Sequence, residues 1–369
     1  MTETVAILCG GKSGEHEVSL RSAAGIYQAM DRKRFAPLIL ARQRDGLWRG
    51  GTLEEVVEYP EDPAQVRIRP QARQVIPVAG GGGTLTLLEA NGKSWQNVDL
   101  CFPILHGTGG EDGTLQGYLN ILGVPFAGPG VLGSAVGMDK DMAKRLLAQA
   151  GLAVARWHTL TSPAQGEGKF KTWCEEWGAR VLYVKPARMG SSVGVGRAES
   201  EEAFRRALAE AFRFDHKVLV EEAVTGREIE CAVLGTPGHP QFPPRASVAG
   251  EIVPKDGFYS YQAKYLDADG ARLLAPAPLD SQETERVQQA ALEVFQVLDC
   301  EGMSRVDFFY TPDRRLVVNE INTLPGFTPI SMYPKLWELS GVPYGELLTT
   351  LLTLARWRWQ QDNALEITP

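Results

Sequence analysis

Val5-Ala-Ile-Leu-Cys9 runs without a polar residue and stops at Gly10-Gly11. A short apolar run bounded by glycine is the pattern of a strand buried on both faces, and such strands belong to parallel sheets covered by helices. Ser19 to Met30 follows with apolar residues at 20, 23, 26, 27 and 30, a helical period. Ala36–Ala41 reads as a second strand, Val98–Leu105 as a third, and Gly113–Leu122 as a second helix. Strands alternating with helices predict a parallel α/β sheet, whose ligand sites lie at the carboxyl ends of strands. Gly10-Gly11 and His106-Gly107 both stand at such ends.

Polar, Gly/Pro-rich residues 42–95 read as an insertion with strand content at Thr84–Leu88. Pro125–Gly133 reads as a linker and Lys140–Ala150 as a third helix closed by Gly151. A strand over Val181–Pro186, a helix opened by Ser200 and a strand over Lys217–Ala223 follow, and Thr225-Gly226 closes that unit. Beyond lie strands near 228–234 and 246–253, a loop at 254–272, a helix near 281–298, a hairpin at 304–321 and a docked amphipathic helix at 344–360. A chain of 369 residues has room for two or three domains and a large core. The balance of 38 basic against 45 acidic residues argues against a general nucleic-acid binder. Five scattered cysteines, with no CxxC, point to reduced and mostly buried thiols in a cytosolic protein. The expected location is the cytoplasm, with no leader and no membrane span.

Three glycine patterns compete as phosphate sites. Gly11-Lys12-Ser13 resembles the end of a P-loop, but Ala6 stands where that motif needs glycine. Gly128-Pro-Gly130-Val-Leu-Gly133 matches GxGxxG without following a first strand, so a turn is the better reading. Met189-Gly-Ser-Ser-Val-Gly-Val-Gly196 follows a strand bearing Lys185, and small residues with free N–H groups can wrap phosphates. This stretch also fits GxSxG around Ser192, with His106-Gly-Thr-Gly-Gly110 imitating an oxyanion loop. That serine-hydrolase alternative needs a helix directly after Ser192.

Ser304–Tyr310 and Leu316–Asn322 are β-rich runs joined by a Thr311–Arg314 turn. Pairing Tyr310 with Arg315 sets Asp307 opposite Val318 and Arg305 opposite Glu320. Arg305, Asp307, Glu320 and Asn322 then share one face. Two carboxylates and an amide form a hard-oxygen set suited to Mg²⁺. A plain Arg305–Glu320 pair on a solvated face explains the spacing equally well. A phosphate loop, Lys140, Lys185 and such a cluster, without Walker or kinase motifs, point to ATP chemistry on an ATP-grasp architecture.

The chain resembles the D-alanine–D-alanine ligases. The resemblance rests on Gly10–Ser19, His106–Gly117, Met138-Asp-Lys140, Val184-Lys-Pro186 with Gly190-Ser-Ser-Val-Gly194, Phe258–Tyr265 and Asn319–Thr328, all in the family's order. It implies a mixed α/β fold of three domains: an N-terminal parallel α/β domain (1–136), a small central α+β domain (137–226) and a larger C-terminal domain on an antiparallel sheet (227–369). It implies that two D-alanines and ATP give D-alanyl-D-alanine, ADP and phosphate through an acyl phosphate, for peptidoglycan. Two Mg²⁺ ions, with Mn²⁺ as a substitute, and a homodimer through the N-terminal domain are implied too.

The same resemblance implies site roles. Lys140 and Lys185 hold the α- and β-phosphates, and the backbone of Gly190, Ser191, Ser192 and Val193 closes over the transferring group. Glu221, Glu222 and Val224 meet adenine, and Glu228 binds ribose hydroxyls. Asp307, Glu320 and Asn322 hold the metals. Glu15 takes the first D-alanine's ammonium beside His106, with Ser191 and Tyr265 as its hydrogen-bonded partners. Arg305 and the N–H of Gly326 form the oxyanion site, and Ser331, Met332 and Lys264 receive the second D-alanine's carboxylate. Lys264-Tyr265 favours an amine acceptor over D-lactate; D-lactate or D-serine is the alternative acceptor. Met189 and Gln262 depart from residues common in the family and bear on how the 189–196 and 254–272 loops meet. A nucleotide sensor without catalysis is the remaining alternative.

Overall fold

A computed structural model describes residues 2–254, 271–328 and 330–366. β1 (Glu3–Gly10) pairs in parallel with β2 (Phe35–Arg42) on one side and β9 (Leu100–Pro103) on the other. Its residues Val5 to Cys9 are almost wholly buried, as an uninterrupted apolar run requires. α1 (His16–Ala29) packs one face through Leu20, Ala23, Ile26 and Tyr27. The sheet is not parallel throughout. β3 (Trp48–Gly51), β6 (Arg73–Gly81), β7 (Thr84–Glu89) and β8 (Ser94–Val98) extend it in antiparallel fashion beyond β2. The expected 42–95 insertion is therefore half of a seven-stranded sheet; only α2 (Leu53–Val56) and the β4–β5 ribbon (Val57–Glu58, Arg67–Ile68) stand outside it. Its strands alternate buried and exposed residues, a half-buried pattern that carries less apolar signal.

α3 (Thr114–Leu122) follows β9. The expected linker at 125–133 is instead ordered. Phe126 bridges to Cys101, and α4 (Val131–Met138) starts within it. α5 (Lys140–Gln149) is capped by Asp139, whose carboxylate accepts from the Asp141 and Met142 N–H groups. β10 (Trp157–Leu160), β11 (Leu182–Pro186), β12 (Gly196–Ala198) and β13 (Val218–Glu222) form an antiparallel sheet ordered β10-β13-β11-β12. α6 (Phe170–Trp177) and α7 (Glu201–Ala211) cover one face with Trp173, Trp177, Phe204 and Leu208. β10, α4 and α6 were not anticipated from the residues.

The last sheet is antiparallel, ordered β16-β15-β14-β17-β18, from β14 (Arg227–Gly235), β15 (Arg245–Pro254), β16 (Ala271–Leu274), β17 (Gly302–Tyr310) and β18 (Leu316–Asn322). α8 (Ser281–Val297) fills one face with Val287, Ala291, Val294 and Phe295. On the opposite face, α9 (Met332–Leu339) and α10 (Tyr344–Asn363) cover Ala232, Leu234 and Met303. Along the same face, beyond that cover, the residues turn charged: Arg305, Asp307, Glu228 and Glu230. The sheet itself thus changes from core to site where the helical lid ends.

α10 buries Leu347, Leu348, Leu351, Leu352, Leu354 and Ala355, the docked face expected of it. Its last turns then grip the N-terminal sheet's surroundings. Arg356 pairs with Glu3 at 2.6 Å, and the Trp359 indole donates to the Gly123 carbonyl at 2.8 Å. Arg358 donates to the carbonyls of Phe126 and Gly128 and pairs with Glu301 at 3.3 Å. Arg358→Met removes the ion-pair partner of Glu301 and the donor to two carbonyls. The expected loss is about 3 kcal/mol, read as a lower urea midpoint; an unchanged midpoint would show that the grip contributes nothing.

Candidate active site

β17 and β18 meet in a register different from the one expected. Tyr310 pairs with Leu316 and Phe308 with Val318, a bulge follows at Asn319, and then Asp307 pairs with Glu320 and Arg305 with Asn322. The expectation is off by one residue at the turn and by two at the site. A shift of two preserves the face, so Arg305, Asp307, Glu320 and Asn322 do project together. The bulge supplies the second step of the shift. Arg305 does not pair with Glu320 across the strands. Its guanidinium meets Asp307 in a fork at 2.7 Å and 2.7 Å and reaches Glu230 at 3.2 Å. Asn322 donates to Asp307 at 2.9 Å. Burial opposes the Arg305 charge, but Asp307 and Glu230 overcome it and raise its pKa. Glu230, on β14 opposite Asp307, was not anticipated. Its signal was present: Glu228 and Glu230 lie two apart in a strand, hence on one face.

α5 starts one turn with Lys140 and the next with Lys144, so both lie on one helical face. Lys140 donates to the Met189 carbonyl at 2.8 Å and stands 3.4 Å from Glu320. Lys185, on β11, stands 2.8 Å from Glu221 and 3.4 Å from the Asn319 side-chain oxygen. Burial works against the Lys185 charge, yet Glu221 outweighs it and raises the pKa. Glu222 instead pairs with Arg156 and, with Val224, lines a cavity of about 480 Å³ between the 153–156 and 222–225 segments and the β17–β18 turn.

The glycine loop after Lys185 makes a tight turn. Ser191 and Ser192 both adopt left-handed backbone, with φ of 50° and 59°, and Gly194 follows at 72°. Such backbone is uncommon in residues with a Cβ and clusters at functional sites. The two left-handed residues make a primed turn, closed by the Val193 N–H donating to the Gly190 carbonyl at 3.1 Å. Ser192 is followed by turn and β12, not by a helix, which removes the nucleophile-elbow reading.

At the carboxyl end of β1, Gly10 takes φ +84° and a Cβ there would meet the Arg42 carbonyl at 2.4 Å. Only glycine allows that approach. Ser19 ties the strand ends together, accepting from Gly10 N–H at 2.8 Å and donating to the Ile104 carbonyl at 2.6 Å. Glu15 stands at the N-cap position of α1, but its side chain makes no capping hydrogen bond. Ser191, from the glycine loop, instead donates to its carboxylate at 2.5 Å. His106 is buried nearby, between the Leu324 carbonyl at 3.1 Å and Ser22 at 3.3 Å. Burial disfavours its charged form, but Glu111 at 3.7 Å and Glu15 more than offset that and raise its pKa. Glu111 lies within the His106–Gly117 motif, five residues after His106, and has no role among the expectations. Ser331 hydrogen-bonds Thr328 at 2.7 Å and stands against Gly326, whereas the Met332 side chain is buried against Gly250. Lys264 and Tyr265, with residues 255–270 of the expected 254–272 loop, lie outside the described residues; its ends, Pro254 and Ala271–Arg272, belong to β15 and β16. Among the described residues no group of three or more His, Cys, Asp or Glu gathers as a metal centre. The expected set contains only two carboxylates.

Glu221 sits between two lysines, Lys185 at 2.8 Å and Lys144 at 3.2 Å. Burial pushes its carboxyl up, but the two ammonium groups dominate and hold it down at about 2, against 4.5 when free. A carboxyl depressed in the fold stabilises it above the free value, and that stability is lost as pH falls through the folded one. Urea midpoints should therefore drop as pH falls from 4.5 toward 2. Glu221→Gln should flatten that part of the profile by about 3 kcal/mol; an equally steep profile would refute the assignment.

Comparison with known proteins gives the family of the chain. A family model described as the D-ala D-ala ligase N-terminus matches residues 4–129, and one described as its C-terminus matches 146–353. D-alanine–D-alanine ligase A of Chromobacterium violaceum is 48% identical over 361 residues, covering 98% of this chain and 97% of its own. The enzyme of the same name from Escherichia coli K12 is 46% identical over 364 residues, covering 99% and 98%. Among solved structures, the D-alanine–D-alanine ligase from Coxiella burnetii superposes with a TM-score of 0.85 at 36% identity, covering 98% of this chain and 96% of that one. The VanG D-Ala:D-Ser ligase from Enterococcus faecalis gives 0.80 at 32%, covering 96% and 100%. With both family models in register and full-length identity near one half, the chain belongs to the D-alanine–D-alanine ligase family.

Proposed function

We propose that this chain joins two D-alanines into D-alanyl-D-alanine with ATP, releasing ADP and phosphate, as a step of peptidoglycan synthesis. The observation that carries the reading is the Ser191–Glu15 hydrogen bond. It sets a turn suited to phosphate against a carboxylate suited to an ammonium. The names of the full-length relatives support the same activity, and family membership implies the use of ATP.

Amide formation in water needs an activated carboxylate. The γ-phosphoryl group passes to a carboxylate oxygen of the first D-alanine, and ADP leaves. The amine of the second D-alanine then bonds to the acyl carbon and loses a proton, the C–O bond to phosphate breaks, and phosphate departs. Glu15 holds the first ammonium, with His106 beside it. Ser191 and Tyr265 orient that carboxylate and help remove the acceptor's proton. Lys140 and Lys185 exchange carboxylate neighbours for phosphate oxygens, under the backbone of Gly190, Ser192 and Val193. Glu221, Glu222 and Val224 receive the base and Glu228 the ribose. Arg305 and the Gly326 N–H face the oxygen on which charge develops. Ser331, Met332 and Lys264 take the acceptor's carboxylate.

Asp307, Glu320 and Asn322 fit Mg²⁺ by donor chemistry, since two carboxylates oppose each other in register with an amide beside them. Arg305 and Lys140 now supply the positive charge that those carboxylates need. Asp307, Glu320 and Asn322 would hold two Mg²⁺ ions, or Mn²⁺, whose charge would offset that of the transferring phosphoryl group. The segments 1–136, 137–226 and 227–369 act as three domains, and the enzyme works in the cytoplasm as a homodimer through the first. Ile121 on α3 and Leu132 on α4, 83% and 59% exposed, support an apolar contact there.

The test is phosphate release with ATP and Mg²⁺ in the presence of D-alanine, L-alanine or neither, with the product weighed by mass spectrometry. D-alanine-dependent phosphate and the dipeptide mass are expected; release without that dependence would sink the reading. D-serine and D-lactate as mixed acceptors separate the related ligases. Glu15→Gln should lower kcat/KM for D-alanine about a hundredfold and leave KM for ATP within about threefold.

A further inference from the structure

Lys144 is a buried cation with no part in the reaction just described. It sits one turn after Lys140 on α5, and it and Glu221 are each 3% exposed. Its ammonium lies 3.2 Å from one Glu221 oxygen, 3.3 Å from the Ala155 carbonyl and 5.7 Å from the centre of the Trp157 ring. The other Glu221 oxygen faces Lys185 at 2.8 Å. Two lysines from different elements thus share one carboxylate, an oxygen each. A fully buried ion loses much of its hydration and persists where partners compensate. Glu221 faces two ammonium groups, so the cluster holds one positive charge more than this carboxylate neutralises. Burial lowers the pKa of Lys144, opposed by Glu221 and reinforced by Lys185.

We propose that Lys144 is a positioning residue for the nucleotide site: by holding one oxygen of Glu221 it keeps that carboxylate from neutralising Lys185 with both, and so leaves the Lys185 ammonium available to an incoming nucleotide's phosphates. The inference rests on the nucleotide reading given above. It follows from the geometry of the carboxylate. With one oxygen drawn toward α5 by the 3.2 Å ion pair, Glu221 presents only the other to Lys185 on β11. Without that anchor a simple one-to-one ion pair forms, and a phosphate must compete with it. α5 then serves both strands of the site, with Lys140 reaching Glu320 and Lys144 reaching Glu221.

The experiment measures ADP binding by calorimetry, and steady-state kinetics, for the wild type, Lys144→Met, Lys144→Arg, Glu221→Gln and the Lys144→Met/Glu221→Gln double variant, each checked for folding by circular dichroism. Lys144→Met should weaken ADP binding roughly tenfold and raise KM for ATP to match, with KM for D-alanine within about twofold. Lys144→Arg should restore most of the affinity. In the Glu221→Gln background, where Glu221 no longer competes for Lys185, the Lys144→Met change should shrink to about twofold or less. ADP affinity unchanged in a folded Lys144→Met protein, or a full tenfold effect persisting without Glu221, would overturn the proposal. If Lys144→Met alone fails to fold, the comparison of the double variant with Glu221→Gln decides: equal affinity supports the proposal, and a tenfold gap overturns it. If the wild type itself binds no ADP, it is the nucleotide reading that falls.

Discussion

Among the described residues, the buried cations at the centre of this molecule each meet a carboxylate from another element, and Arg305 also meets Asp307 of its own strand. Lys140 of α5 meets Glu320 of β18, Lys185 of β11 meets Glu221 of β13, and Arg305 meets Glu230 of β14. A charge taken from water is tolerable only beside its opposite. The Lys185–Glu221 and Arg305–Glu230 pairs each lie within one sheet, whereas α5 reaches the last sheet through Lys140–Glu320 and the central one through Lys144–Glu221. The same pairs prepare an anion site, because each ammonium already faces a place where negative charge is stabilised.

What could be read beforehand divides along physical lines. β1 was legible because burial on both faces leaves an uninterrupted apolar run, and α8 and α10 because their apolar residues recur at the helical period. The strands of residues 42–95 were obscure because they are buried on one face only, so their alternation is diluted by turns rich in glycine. α4 was hidden in Pro125–Gly133 by residues that usually mark turns; Gly133 is needed there because a Cβ would meet the Asp299 carbonyl at 2.4 Å. That approach is a tertiary fact, and no local pattern reports it.

The site shows the same division. Face-sharing of Arg305, Asp307, Glu320 and Asn322 was readable from the two-residue period, while the pairing was not. A bulge inserts one residue without leaving a mark in composition, and here Asn319 is that residue. The phosphate role of residues 190–194 was readable from small side chains. The left-handed φ of Ser191 and Ser192 was not, since serine does not announce that conformation as glycine does. Contacts across long sequence distance, such as Ser191 to Glu15 or His106 to the Leu324 carbonyl, were reachable only through the resemblance of ordered motifs.

Those long-distance contacts also explain why the C-terminal helix matters to chemistry it never touches. Glu15 and His106 belong to the N-terminal sheet, whereas Ser191 and Leu324 belong to the other two. Hydrogen bonds of this kind are short-ranged, so a shift of about 1 Å between sheets would open them. α10 spans the gap with Arg356 on Glu3, Arg358 on the 126–128 backbone and Glu301, and Trp359 on Gly123. Its apolar face is seated on both the first and the last sheet through one continuous core. α10 therefore joins the first and last sheets through that core, while the central sheet keeps a core of its own.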